Sequence, residues 1–425
     1  MVTNQLAMKS GYKKTEIGII PDDWEVRNLG DISDIKTGPF GTALHQRDYV
    51  RSGTPIITVE HLSENGVIHQ NLPLVSDQDK KRLKKYQLKE NDIVFSRVGS
   101  VDRNSLITKR ETNWLFSGRL LRIRLETSNV NPIFLSYFLH YEPTKRRIRI
   151  VAVGQTMPSL NTQILKNFHV AFPKKNKEQF FICQILSNTD KLIEQTKKII
   201  EKKKNIKKGT IQALLTGKIR LNEFDKKWKS ILLGEIFTIF TGKTKSKYII
   251  EFSKYLIMDM GSISSEGKNI AHKYTNYDGD LLQFGDLVMP KDSLVASHYE
   301  EGNIIGKTAF IDKNNRYVLG DHVYVLRSKN SSVDPLFLSY LINSYSVNIQ
   351  IRKKATGSAQ IGINKKTVEE QTVIIPTEIK EQSAIAKIFS DMDSEIKELE
   401  SKRDKYIMIK NGMMQKLLTG EIRLT

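Results

Sequence analysis

The chain has 425 residues, more than one domain usually holds, so two or more units, each burying its own core, are expected. A single cysteine, Cys183, excludes an intrachain disulfide and any thiolate cluster for zinc or iron–sulfur, and fits a reducing cytoplasm. Lys and Arg number 67 against 47 Asp and Glu, and the net charge of +20 favours a polyanionic partner such as nucleic acid, although a lysine-rich proteome would carry the same excess as solvated surface.

In chain order, Met1 to Lys14 lack the apolar core of a signal peptide. The most apolar stretch, Ile231 to Phe240, is short and contains Glu235, so a soluble, cytoplasmic protein without a membrane span is expected. Residues 1–174 hold short β-type runs broken by turn residues, such as Asp92-Ile-Val-Phe-Ser96, and read as a compact mixed domain. Asn131-Pro-Ile-Phe134 puts a capping side chain before a Pro at the first helical position, which predicts a helix start. After Pro173 neither Pro nor Gly occurs until Gly209, so a long helix dominates residues 175–221, which close on Leu214-Leu-Thr-Gly-Lys-Ile-Arg-Leu221.

The pattern then returns. Trp24, Leu29-Gly30 and Thr37-Gly38 reappear 204 positions on as Trp228, Leu233-Gly234 and Thr241-Gly242. Val130-Asn-Pro-Ile-Phe-Leu-Ser-Tyr137 reappears 203 positions on as Val333-Asp-Pro-Leu-Phe-Leu-Ser-Tyr340, Asn161 as Asn364, Pro173 as Pro376 and Glu178-Gln179 as Glu381-Gln382. The closing octet reappears as Leu417-Leu-Thr-Gly-Glu-Ile-Arg-Leu424. A second mixed domain over 222–377 and a second helical region over 378–425 follow from this repeat.

Ile182, Ile185, Thr189, Leu192, Thr196, Ile199, Lys203 and Ile206 alternate steps of three and four, as do Ile385, Phe389, Met392, Ile396, Leu399, Arg403 and Tyr406. Each helix is therefore expected to carry one apolar seam, and packing the seams together as a coiled coil is the simplest way to cover them. The alternative, each helix lying on its own mixed domain, fits less well with the densely charged flanks Lys197, Lys198, Lys202, Lys203, Lys204, Lys207 and Lys208, which read as solvated rather than covered. Roughly 35 residues at ~1.5 Å each make a rod of about 50 Å.

Catalytic signatures are weak. Asn131-Pro-Ile-Phe134 and Asp334-Pro-Leu-Phe337 approach the Asn/Asp-Pro-Pro-Phe/Tyr loop of an adenine methyltransferase, but capping explains both, and a glycine-rich loop for S-adenosylmethionine is missing. Gly302-Asn-Ile-Ile-Gly-Lys-Thr308 has three residues between its glycines where a phosphate cradle needs four. The Glu-x-Lys triplets Glu201 to Lys203, Glu378 to Lys380 and Glu395 to Lys397 lie in or beside predicted helix. The eight histidines form no His-x-x-x-His pair, so neither metal, cofactor nor catalytic residue is expected in the chain.

Arg and Lys serve both phosphate positioning and guanine readout, so basic clusters in the mixed domains are the candidates for nucleic-acid contact. Lys145, Arg146, Arg147 and Arg149 precede Gly154-Gln155, and Arg352, Lys353 and Lys354 precede Gly357-Ser358 in the equivalent place. Arg97, Arg103, Arg119, Lys291, Lys307 and Arg316 are further candidates. Gln155 and Gln360 are candidates for bidentate adenine contact, and Ser358 is a further candidate for DNA contact.

Taken together, Tyr12-Lys-Lys-Thr-Glu-Ile-Gly-Ile-Ile-Pro-Asp-Asp-Trp24, Gly154-Gln-Thr-Met-Pro-Ser-Leu-Asn161, the Glu-Gln opening each helix and both Leu-Leu-Thr-Gly endings resemble the specificity subunits of type I restriction-modification systems. The resemblance spans both halves. It departs where a proline pair usually precedes Glu-Gln, here Pro173-Lys174 and Pro376-Thr377, and Tyr12 to Pro21 have no counterpart before Trp228. It implies an α+β fold: two mixed α/β target-recognition domains joined by two long helices in antiparallel contact, a coiled-coil spacer with pseudo-two-fold symmetry. It also implies partners: double-stranded DNA, two adenine-methyltransferase subunits and two restriction (motor-nuclease) subunits, with S-adenosylmethionine and ATP on those subunits and no chemistry in this chain. Because the mixed domains differ widely between their matching segments, the two halves of the target should differ, giving an asymmetric, interrupted site. A self-sufficient methyltransferase or nuclease is the alternative, and S-adenosylmethionine binding by the purified chain discriminates between them.

Overall fold

The computed structural model describes residues 10–39, 44–154, 156–293, 302–357 and 361–424. The chain divides into two compact units, Met1–Lys197 with Ser401–Thr425, and Lys198–Glu400. The division cuts through both helical regions, so each unit is a mixed domain together with parts of both long helices.

In the first unit, strands Asn104–Leu106, Ile93–Ser96, Leu120–Leu125 and Ser33–Thr37 form one sheet in that order, and Leu115–Phe116, Thr54–Ile57, Leu74–Val75 and Tyr49–Val50 form a second. The second unit repeats the first sheet as Ala309–Phe310, Leu287–Pro290, Val323–Ser328 and Phe237–Thr241. Its second sheet is Tyr317–Leu319, Tyr255–Met258, Tyr274–Thr275 and Ile249–Ile250. The buried runs Ile93–Ser96 and Leu287–Pro290 are the central strands, paired on both sides, which is why they read as continuous apolar stretches. Half-buried arginines fork onto buried aspartates and tie neighbouring strands together: Arg124 donates to Asp92 at 2.7 and 2.6 Å, and Arg327 to Asp286 at 2.8 and 2.7 Å.

The repeated Asn and Asp positions are helix caps. Helix α1 (Pro132–His140) starts where the Asn131 side chain accepts from the amides of Ile133 and Phe134, and α2 (Glu142–Val151) follows it. The long helix α3 spans Asn176–Leu215. In the second half, Asp334 caps α4 (Pro335–Asn343), followed by α5 (Tyr345–Lys353) and the long α6 (Ile379–Leu417). Asn161 and Asn364 cap two further short helices, Thr162–Lys166 and Lys365–Glu369. Among the described residues no helix is long and apolar enough to cross a membrane.

Both long helices end alike. Gly217 and Gly420 take left-handed φ of +69° and +71°, so each chain turns sharply after Leu-Leu-Thr, the role glycine has after a helix end. The turn sends the arginine three residues on back towards a Glu-Gln pair. In the first unit Arg423 grips Glu178 through two hydrogen bonds of 2.7 and 2.9 Å and also reaches Asp23. In the second unit Arg220 grips Glu381 at 3.1 and 2.8 Å, and the indole of Trp228 donates to the same carboxylate at 3.2 Å. The neighbouring glutamines are equally committed: Gln179 donates to the carbonyl of Pro173 and accepts from the amide of Asn131, and Gln382 does the same with Pro376 and Asp334. The hairpin Tyr12–Thr15 with Gly18–Pro21, which has no second copy, adds a bond from the Tyr12 hydroxyl to the carbonyl of Gly420.

Within each unit the two long helices run antiparallel. In the second unit Lys203, Lys207 and Arg220 of the first half meet Glu395, Asp393 and Glu381 of the second, and in the first unit Asp190 meets Lys410 while Glu178 meets Arg423. A tyrosine of each mixed domain joins the pairing. Tyr137 donates to Asp190 at 2.7 Å with Lys410 over its ring, and Tyr340 donates to Asp393 at 2.8 Å with Lys207 over its ring. Burial and the adjacent carboxylate hold both phenols above their usual range, so they remain hydrogen-bond donors.

The expected seam needs one correction. On α6, Ile385, Phe389 and Ile396 are buried and Met392, Leu399, Arg403 and Tyr406 half-buried. On α3, Ile182, Thr189 and Thr196 are buried and Lys203 half-buried, but Leu192, Ile199 and Ile206 are 44, 46 and 45 % exposed, and Ile185 is only half-buried. The inward positions are instead Leu186, Ile193 and Ile200, one residue later. The reason is that 185–186, 192–193 and 199–200 are apolar doublets, whose members differ by about 100° around the helix; hydropathy does not choose between them, and the packed neighbour does. At the next step Lys207 turns inward to Asp393 and Ile206 outward.

Glu178 is 1 % and Glu381 0 % exposed, and stripping the partner from a buried charge costs about 3–5 kcal/mol. Arg423→Met should destabilise the first unit by about that much, whereas Arg220→Met should cost the second unit less because Trp228 still donates to Glu381. Hydrogen exchange in urea, resolved by unit, checks this; equal losses in both units contradict it.

Candidate nucleic-acid interface

The first basic cluster lies on α2 and is largely engaged within the chain. Lys145 pairs with Glu64 at 2.7 Å. Arg147 donates to the carbonyl of His169 at 2.9 Å and lies over the Phe168 ring, where burial lowers its pKa. Arg149 is clasped by Asp102 and Glu142. Arg146 alone is exposed and without an ion pair among the described residues. The cluster therefore offers one available cation where the sequence suggests four.

The equivalent cluster on α5 is more open. Lys353 is exposed without an ion pair among the described residues, Lys354 donates to the Gln371 side chain at 3.2 Å, and Arg352 is half-buried with its Nε unpartnered. Nearby Lys307 donates to the carbonyl of Asn343 at 2.9 Å, and burial, reinforced by Arg352, pushes its pKa down to about 8. Two further candidates hold backbone: Arg103 donates to the carbonyl of Leu62 at 2.6 Å and Arg316 to that of Lys254. Both are loop fasteners, a role that any cation near an unsatisfied carbonyl can take.

The remaining candidates converge on one end of the first sheet, in the same place in each unit. The amide of Arg97, just past Ile93–Ser96, bonds the carbonyl of Arg119, just before Leu120–Leu125, and the carbonyl of Arg97 accepts from Leu160 of the Gly154–Asn161 segment. Its counterpart is Lys291, whose amide bonds the carbonyl of His322 and whose carbonyl accepts from Ile363. Arg97 also donates to the carbonyl of Gly118, while Arg119 is exposed. His322 escaped the sequence reading, although its position 203 residues after Arg119 marks it. It holds a left-handed φ of +57°, uncommon for a residue with a β-carbon and frequent where a side chain is presented for function. Its Nδ1 lies 2.7 Å from Asp292, which orients the ring. Gln155, Ser358 and Gln360, on the segments that join these sheet ends, lie outside the described residues.

This arrangement supports contact and positioning rather than covalent chemistry. Cys183 is buried, and burial pushes its thiol up to about 12, far from a reactive thiolate. Among the described residues no group of His, Cys, Asp and Glu is placed to hold a metal.

Residues 21–205 and 225–407 each match the sequence profile of the Type I restriction modification DNA specificity domain. A chain of Methanocaldococcus jannaschii named for the specificity subunit of the type I restriction enzyme MjaX is 28% identical over 441 residues, covering 99% of this chain and 98% of that one. The S subunit of a type I restriction-modification system from M. genitalium shares the fold with a TM-score of 0.61 at 17% identity, covering 93% of this chain and 96% of that one. A chain from a structure concerned with assembly and conformational transition of the type I R-M system has a TM-score of 0.55 at 13% identity, covering 95% and 99%. The two matched segments are the two mixed domains with most of the long helix that follows each, and the chain belongs to the type I restriction-modification specificity family, whose DNA specificity domain it carries twice.

Proposed function

We propose that the chain reads an asymmetric, interrupted double-stranded DNA target, one half-sequence per unit, and positions two adenine-methyltransferase subunits and, in the full complex, two restriction subunits. The observation that carries this reading is the pair of equivalent sheet ends. One backbone frame presents Arg97 and Arg119 in the first unit and Lys291 and His322 in the second. Arginine, lysine and imidazole offer different donor patterns to base edges, so two readers of one architecture select different half-sequences. S-adenosylmethionine and ATP belong to the partner subunits, and the long helices set the gap between the half-sequences.

Arg119→Ala should relax selectivity in one half-sequence and His322→Ala in the other, each by about 1–3 kcal/mol of discrimination. Mapping of methylated adenines in cells carrying the reconstituted system reads both, and a change in the same half from both substitutions contradicts the assignment. The chain alone should bind DNA with affinity that falls steeply between about 50 and 200 mM salt, through counterion release.

A heptad inserted between Lys197 and Lys198, with another between Glu400 and Ser401, falls at the boundaries of the two units and keeps the three-four spacing of the seam. It lengthens each helix by about 10 Å at 1.5 Å per residue, which corresponds to roughly three base-pair steps. The gap in the methylated motif should widen accordingly while both half-sequences persist. An unchanged gap with full activity shows that the helices are not the ruler.

A further inference from the structure

The repeat allows each basic position to be compared with its counterpart. Ile93 pairs with Leu106 and Ile123 as Leu287 pairs with Phe310 and Leu326, which aligns Asp102 and Arg103 with Gly306 and Lys307. The first residues of α2 and α5 align Glu142 with Tyr345, and hence Arg149 with Arg352.

In the first unit the arginine is neutralised within the chain, since Arg149 donates to both Asp102 and Glu142. In the second unit both carboxylates are gone. Glycine stands at 306, and the residue at 345 is a tyrosine 76 % exposed. Arg352 has no ion pair among the described residues, and its buried Nε lacks an acceptor. Lys307 lies on the segment packed against α5, where Asn348 donates to the carbonyl of Ile305 at 3.0 Å; its ammonium donates to the carbonyl of Asn343 at 2.9 Å and has no ion pair among the described residues. Glu266, the acid that favours its charge, is 2.9 Å from Lys268. Two partly buried cations without a bound carboxylate among the described residues are unfavourable as they stand, and an external anion would satisfy both.

We propose that Lys307 and Arg352 form a phosphate-binding site for the nucleic-acid backbone in the second unit, a site that the first unit closes with Asp102 and Glu142. The inference rests on the DNA-reading function and adds to it an asymmetry of grip: the second unit holds a phosphate where the first does not. A guanidinium fork beside an ammonium suits a phosphate, which offers several acceptor oxygens at one point. Such a contact fixes the register of the duplex and carries no base information, so any duplex reports it.

The full chain is titrated with a fluorescein-labelled duplex of mixed sequence, by anisotropy over a salt series. Tyr345→Glu restores the carboxylate of the first unit without removing a cation, and it and Arg352→Gln should each lower the slope of log affinity against log salt by about 0.9, the value of one phosphate. Lys366→Gln, which removes a surface lysine lying near Glu370, should leave the slope unchanged. Asp102→Asn with Glu142→Gln frees Arg149 and should raise the slope by a similar step. As a readout independent of DNA, inorganic pyrophosphate should slow acylation of Lys307 several-fold by mass spectrometry, and Arg352→Gln should abolish that protection. Protection without DNA binding by the parent chain keeps the anion site and sinks the DNA reading. DNA binding with unchanged slopes in Tyr345→Glu and Arg352→Gln overturns the site. Unchanged slopes with loss of methyltransferase capture assign Lys307 and Arg352 to an acidic protein surface and overturn it equally.

Discussion

The bidentate pairing of a buried glutamate with an arginine from the other end of the repeat is the constraint on which the architecture depends. Glu178 and Glu381 sit at the first turn of the long helices, out of water, and neither has an arginine partner from its own repeat. Arg423, near the end of the chain, completes the unit that begins at the start of the chain, and Arg220, from the middle, completes the other. Leaving such a carboxylate unpaired costs several kcal/mol, so each unit forms properly only when the closing segment of the opposite repeat is in place. The glycines at 217 and 420 are part of the same device, because only a left-handed turn brings the arginine back towards the helix start.

From that closure the register of the helices follows. Once Arg423 is fixed on Glu178, Lys410 falls opposite Asp190, and once Arg220 is fixed on Glu381, Lys207 falls opposite Asp393. Both aspartates also accept from a tyrosine of the mixed domain, so the same triads that set helix register tie the helices to the elements beneath them. Apolar burial along the seam supplies adhesion but little register, since the doublets at 185–186, 192–193 and 199–200 would permit a neighbouring face to turn inward. Charge at Lys203, Lys207 and Lys410 decides which face does so. These lysines are part of the interface, and the basic flanks of α3 are only partly a solvated surface.

With the frame held in this way, its surface is free to diverge. The strand ends that carry Arg97 and Arg119 are superimposable in connectivity on those that carry Lys291 and His322, yet no side chain at these positions is shared. The same holds beside α2 and α5, where Asp102 and Glu142 pair with an arginine whose counterpart, beside Gly306 and Tyr345, has no ion pair among the described residues. Backbone hydrogen bonds and caps hold the two units alike, while the side chains at these positions differ in charge, reach and donor pattern.

The repeat, the helix starts at Asn131 and Asp334, the long helices and the family were legible from sequence, because each depends on local chemistry: a cap, a proline, a run free of glycine, a motif written twice. The significance of Glu-Gln and Leu-Leu-Thr-Gly was visible only as repetition, since what they do is meet across more than a hundred residues. Which basic side chains are available was not legible. Arg149 and Arg352 look equivalent in sequence, and their difference lies in partners brought from a strand connection and from two helix turns away. Likewise Arg103 and Arg316 face carbonyls that no local pattern announces, and His322, although its place in the repeat matches Arg119, gains its setting only when the strand order puts it beside Lys291 and Asp292. The sequence by itself determined the elements, their duplication and the family. Tertiary structure alone decided which of two adjacent apolar residues turns inward and which cations remain uncommitted, because both outcomes depend on what a distant part of the chain places within a few ångströms.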